Sequence, residues 1–335
     1  MYKKIEISRR SIAFLILFPL FLYFLWIIRE LLFSLLIAFI IMSALRPLAA
    51  FLHRKGFPRQ AAIFVVFFGF VLVFVSLVSL IVPPIFSETA AFLKTFPAYE
   101  KKLSPEITKY IDLSSFFQYV PSVTNNIFSI VGNVFSNVLF IITTLFFALY
   151  FLLEESLIRR FFGMFISESE LEHYEEIVSH VESRLTGWFW GQITLMLIIG
   201  LLSYIGLVLI GIKYAVPLAV LAGLLEAVPT IGPILSAVPA ILIGLSDSYL
   251  TGLFILILYF FIQQAENTLI VPIVMKRATG ISPILILIAL VIGGKIGGVL
   301  GVLLSIPMLI VGETIVREFV LHYRKKDGKS DSKLE

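Results

Sequence analysis

The sequence predicts an all-α, polytopic membrane protein with about six full spans plus two Gly/Pro-broken helix pairs, re-entrant or hairpin. Three observations carry that prediction. The first is composition: of 335 residues, 59% are hydrophobic, 32 are Phe and only 14% are charged, where a soluble domain carries roughly 25% charged residues. Mean hydropathy is +1.02, and so few charges cannot solvate that much apolar surface. The second is a series of charge-free windows of the length needed to cross a bilayer, about 20 residues. The third is a pair of apolar regions interrupted by Gly and Pro. A free cytosolic enzyme, a disordered chain and a secreted disulfide scaffold are excluded, and the absence of Cys removes thiolate chemistry.

Taken in order, the charge-free windows are 11–28, 60–87, 127–153, 185–212 and 248–265, with a shorter one at 31–45 ended by Arg46. The first follows Lys3, Lys4, Arg9 and Arg10 but ends in Trp26-Ile27-Ile28-Arg29. It is too long for a signal-peptide core and lacks a small-residue cleavage site, so it reads as an uncleaved span. Basic residues concentrate at the N-terminus, at Arg46, Arg54, Lys55 and Arg59, and at Arg324-Lys325-Lys326. By the bias of Lys and Arg toward the cytoplasm, both termini are expected inside and the Arg29-Glu30 turn outside. The net charge of +4 therefore reflects loop composition rather than nucleic-acid binding.

This divides the chain into the first three spans at 1–82, an extracytoplasmic amphipathic segment at 83–126, a transport core at 127–320 and a basic cytoplasmic tail at 321–335. Within the core, 154–187 is expected to form a cytoplasmic helical connector. There Ser167 and Glu170 match a capping box, followed by Leu171, Tyr174, Val178 and Val181 at helical spacing. Odd crossing parity between Lys213 and the tail leaves one convincing span at 248–272 and two broken regions. Tyr214–Gly244 is interrupted at Pro217, Glu226, Pro229, Gly232, Pro233 and Pro239. Pro283–Gly312 is interrupted at Gly293, Gly294, Lys295, Gly297, Gly298, Gly301 and Pro307. Irregular backbone at membrane depth needs protein or a water-filled cavity around it, and paired broken segments point to a transporter binding site. The two regions also share a Pro-x4-Gly echo, Pro239–Gly244 and Pro307–Gly312, with Ser236 and Ser305 just upstream.

Glu226-Ala-Val-Pro-Thr-Ile-Gly-Pro233 and the following Ser236-Ala-Val-Pro239 resemble the hairpin of the autoinducer-2 exporter family of prokaryotic membrane proteins. Thr143–Glu154, Gly191-Gln192, Gln263–Asn267, Ile281-Ser-Pro-Ile284 and Ser305-Ile-Pro307 fit the same pattern, so that the resemblance spans roughly 10–320. It implies a multi-pass inner-membrane transporter that assembles as a homo-oligomer. Some members of the family are assigned to autoinducer-2 export and others to cation/proton antiport. Lys295 departs from the uncharged character expected of its stretch.

The candidate site residues are the few polar groups near membrane depth. An intramembrane carboxylate costs a few kcal/mol to insert and so needs a partner or water. Glu226 is accordingly a candidate proton or cation relay beside carbonyls freed by Pro229 and Gly232; the alternative is a cap at the interface. Gln263, Glu266 and Asn267 stand at i, i+3 and i+4 and are expected to share a face, lining a path or lying at the interface. Lys295, at the apex of the second hairpin, would pair with Glu226 or Glu266, attract an anion, or reach solvent. Arg29, Glu30 and Arg46 read as interfacial anchors. Ser129, Asn133 and Asn137, like Gly200, Ser203 and Gly206, read as helix packing, and Trp188, Trp190 and Gln192 as an aromatic belt at a span entrance. The four His residues have no metal spacing, and no nucleotide-binding loop is present.

The expected function is a secondary transporter that exports a small hydrophilic solute or a cation, coupled to H+ or Na+. The bilayer and a second copy of the chain are its expected partners, with no cofactor, metal or nucleic acid. Alternatives of other classes are a membrane scaffold or assembly protein and a passive oligomeric pore. A hydrolase is disfavoured by the lack of any catalytic constellation within the spans.

Overall fold

A computed structural model describes residues 9–79, 137–154, 167–229, 231–275 and 281–331. Every regular element among them is helical: α1 (Arg9–Ile27), α2 (Arg29–Arg54), α3 (Arg59–Ser79), α4 (Val138–Leu153), α5 (Glu168–Ile210), α6 (Ala215–Leu225), α7 (Ile231–Asp247), α8 (Tyr249–Ala265), a π turn (Glu266–Ile270), α9 (Val271–Val274) and α10 (Pro283–Asp331). Five of these segments are long and apolar enough to cross a membrane, and α1, α4, α6 and α7 are shorter apolar helices. Segment 83–126, the Ser129/Asn133 stripe and the basic pair at 276–277 lie outside the described residues.

The described part of the expected connector, from Glu168 onward, is continuous with the fifth span in α5. The capping box that opens α5 is formed, the Glu170 carboxylate accepting from the Ser167 hydroxyl at 2.8 Å and backbone N–H at 3.3 Å. Three apolar clusters hold the bundle. One joins α2, α3 and α4 around Ala38, Met42, Phe67 and Ala148. The second joins α2, α5 and the C-terminal half of α10 around Phe33, Leu185 and Ile310. The third joins α5 to α6, α7 and α8 around Ile199, Leu207, Ala222 and Ile255.

Pro47 lies inside α2 and offers no N–H to the Ser43 carbonyl four residues back. The Thr186 hydroxyl of α5 donates to that carbonyl at 2.8 Å, and Trp190 Nε1 donates to the next one, Ala44, at 3.2 Å. One turn along, Arg46 grips both carboxylate oxygens of Glu182 at 2.7 and 2.5 Å. Arg46, read as an interfacial anchor, also clamps α2 to α5. Also on α5, Arg184 bonds Glu313 and Thr314, and His180 meets Glu318 at 3.0 Å, tying α5 to the C-terminal half of α10.

Both broken regions fold as helix pairs. In the first, α6 and α7 meet at a turn in which Gly232 packs on the Leu225 carbonyl; a Cβ on Gly232 would lie 1.9 Å from that oxygen. In the second, α10 folds back at Gly298, whose φ of 56° and ψ of −132° interrupt the helix. The arms touch where Gly293 meets Gly301, leaving no room for a side chain on either. Between them the Ser305 hydroxyl sits 2.9 Å from the Ala289 carbonyl on the opposite arm and 2.7 Å from that of Gly301 on its own.

Candidate functional site: a buried carboxylate pair

The turn after α6 sets Glu226 against α5. Its backbone N–H closes the last turn of α6 on Ala222, and its carbonyl accepts from Gln192 Nε2 at 2.7 Å. The residue is 1% exposed. Glu266 begins the π turn that follows α8 and is 3% exposed. A π turn widens the helix and re-aims the residues on it, a feature concentrated at functional sites. A charge on Glu266 works against a charge on Glu226, and Gln263 stands one turn before Glu266.

Three oxygens of this cluster have no hydrogen-bond partner: Glu226 Oε2, Glu266 Oε2 and Gln192 Oε1. Gln192 is itself only 5% exposed. Unpaired buried acceptors cost about 1–3 kcal/mol each, more when charged. Unpartnered buried carboxylate oxygens suit a species that brings positive charge, a proton or a cation. Among the described residues no group of three or more His, Cys, Asp or Glu side chains is arranged for a metal.

Along the same seam, α5 and α8 place the Ser203 and Tyr259 hydroxyls side by side, neither in good hydrogen-bonding geometry. Ser203 lies eleven residues beyond Gln192, about 16 Å of helical rise. Between the two levels α5 and α8 are apolar, with Leu195, Ile199 and Ile262 all buried.

The sequence-predicted residues do not all meet here. Glu226, Gln263 and Glu266 come together. Asn267 is exposed, because the π turn breaks the i,i+4 register that would have put it on the face of Gln263. Lys295 is exposed at the tip of the second hairpin, in a cavity shared with Arg29 and Glu30, and forms no ion pair with either carboxylate. That tip packs against Phe33, whereas Gln192 lies beside Trp190 at the level of Ala44. The two places are therefore about 16 Å apart along α2. Pro229, Gly232 and Pro233 build the turn beside Glu226, and Pro239 lies within α7. Gly297, Gly301 and Pro307 belong to the second hairpin. Gln192, read from sequence as part of the interfacial belt, is instead buried against the Glu226 turn; the Gly191-Gln192 motif was the one signal of a larger role.

A model of the AI-2E transporter family matches residues 12–321. Two proteins of Bacillus subtilis, YueF and YrrI, each named for an inferred role in transport, are both 26% identical to the chain; the alignments cover 89% and 92% of this chain and 86% and 95% of theirs. A Thermotoga maritima protein named for the same inferred role is 23% identical, over 82% of this chain and 84% of its own. None of these names specifies a solute. The helical bundle with its folded-back segments, and a family match over nearly the whole chain, make the protein a multi-pass membrane member of the AI-2E transporter family.

Proposed function

We propose that the protein is a secondary transporter of the plasma membrane, in which Glu226 and Glu266 bind and release the coupling H+ or Na+ while a small hydrophilic solute or a cation is exported. The observation that carries this reading is the pair of buried, mutually repelling carboxylates, each with an unpartnered oxygen, beside the unpartnered Gln192 Oε1. Charge held at membrane depth without compensation is expensive and is retained where it does work on ions. Release of the cation leaves two repelling anions, and rebinding relieves that repulsion. The site therefore has two states of different electrostatic energy, to which movement of the α6–α7 hairpin can be linked. With both termini cytoplasmic, the pair lies in the inner half of the membrane and the second hairpin tip faces out. The homo-oligomer implied by the family belongs to the same reading, as does the division into spans 1–82, external segment 83–126, transport core and basic tail.

The test is flux in proteoliposomes with an imposed pH gradient, comparing Na+, Li+ and autoinducer-2 as cargo. Gradient-driven flux is expected for the parent protein and a loss of at least about tenfold for Glu226→Gln, the effect of removing one charge-assisted contact. Undiminished flux in that variant would sink the relay role. Flux that ignores the gradient would identify a passive pore instead.

A further inference from the structure

A cavity of about 590 Å³ opens at the other end of the bundle. Its walls come from three separate parts of the chain: Trp26, Arg29 and Glu30 at the α1–α2 turn, Asn137 at the start of α4, and the tip of the second hairpin with Lys295. We propose that this cavity is a binding site for a small phosphate-bearing anion, either a soluble phosphate ester or the headgroup of an anionic lipid.

The charge on the walls carries the assignment. Two cations, Arg29 and Lys295, face one carboxylate, Glu30, and none of the three takes part in an ion pair among the described residues. Arg29 is held instead over the Trp26 ring at 4.1 Å. That contact fixes the guanidinium by its face and leaves its N–H edges free to donate in the plane. Asn137 spends its carbonyl oxygen capping α4, accepting from the Phe140 N–H at 3.1 Å, so its NH2 is the group left on the wall. Arg, Lys and amide donors converging on one cavity form an anion-binding set. The rings of Trp26, Phe33 and Phe140 supply an apolar side for a short carbon skeleton. The volume exceeds what a bare inorganic ion fills and is in the range of small-molecule sites.

The experiment measures equilibrium binding of labelled glycerol 3-phosphate to the full chain in phosphatidylcholine nanodiscs, with glycerol as the neutral control. Saturable binding of the ester and none of glycerol is expected. Lys295→Gln and Arg29→Gln should each weaken it by at least about tenfold. Lys295→Arg should restore most of the affinity, and Glu30→Gln should strengthen binding. Since Lys295 is exposed, its substitution is compatible with folding, which a melting curve checks. A second arm uses phosphatidylglycerol nanodiscs. If the headgroup is the occupant, soluble ester is excluded there, and the parent protein retains phosphatidylglycerol through purification while Lys295→Gln does not. Either arm supports the assignment. It is overturned if neither ester nor anionic lipid binds, if glycerol binds equally, or if affinity ignores Lys295 and Arg29. Binding rather than flux is read, so the outcome is separate from that of the carboxylate pair.

Discussion

The side-chain amide of Gln192 donates to the main-chain carbonyl of Glu226 across 2.7 Å, while its own buried Oε1 stays unpartnered. One residue of α5 thus holds the hairpin turn in place and offers an acceptor to the site. Gln192→Leu should leave the Glu226 carbonyl unsatisfied, at a cost of about 1–3 kcal/mol, and lower the melting temperature with the flux. Gln192→Glu keeps an acceptor but loses the donor, and should transport as poorly. Full flux in both variants would show that this hold is dispensable.

Neutralising the carboxylate pair should separate stability from function. Both acids are desolvated by burial, and Glu226 also meets the charge of Glu266, so replacing a buried charge by an amide of equal shape is expected to be neutral or stabilising by about 1–3 kcal/mol. Glu226→Gln and Glu266→Gln should therefore melt no lower than the parent while losing gradient-driven flux. Because the two groups act as one unit, the double variant should lose little more flux than either single one. A melting temperature that falls with each substitution would mark the acids as structural.

Steric tolerance at the hairpins gives a sharper contrast. A Cβ at Gly232 would lie 1.9 Å from the Leu225 carbonyl oxygen, and one at Gly301 would lie 1.9 Å from that of Gly293; at Gly312 nothing lies within 4 Å. Gly232→Ala and Gly301→Ala should each cost more than the usual ~1–3 kcal/mol of overpacking, since backbone rather than a flexible side chain must move. Gly312→Ala should be neutral or stabilising by up to ~1 kcal/mol. Thermal unfolding in detergent orders the three, and equal effects would mean that the helix pairs are not closed in the way described.

Much of this was legible in sequence, for physical reasons that differ by residue. Gly/Pro interruption located both hairpins because few other residues permit such close backbone contact, and Ser167/Glu170 announced the start of α5 through the chemistry of orphan N–H groups. Glu226 and Glu266 stood out because carboxylates are costly in apolar surroundings. Asn267 and Lys295 were another matter. The i,i+4 rule assumes an unbroken α-helix, and the π turn at Glu266–Ile270 leaves no sequence signature. For Lys295 the sequence shows a hairpin apex but not which end of the bundle that apex reaches. Arg46 and Gln192 found their partners 136 and 34 residues away, separations over which periodicity carries no information.

Proline in a helix interior withholds a donor from the carbonyl four residues earlier, and in α2 that carbonyl belongs to Ser43. Thr186 of α5 replaces the missing donor at 2.8 Å while remaining within 2.8 Å of its own Glu182 carbonyl. In the parent, Thr186→Val should strand the Ser43 carbonyl and cost about 1–2 kcal/mol. In a Pro47→Ala background the backbone N–H of residue 47 can satisfy Ser43 within α2, and the same Thr186→Val change should cost visibly less. A double-mutant cycle on unfolding free energy should thus give a coupling of about 0.5–1.5 kcal/mol. Strict additivity would mean that the Ser43–Thr186 bond contributes nothing, and that α2 and α5 are joined through Arg46 and Glu182, the Trp190–Ala44 bond and their apolar contacts.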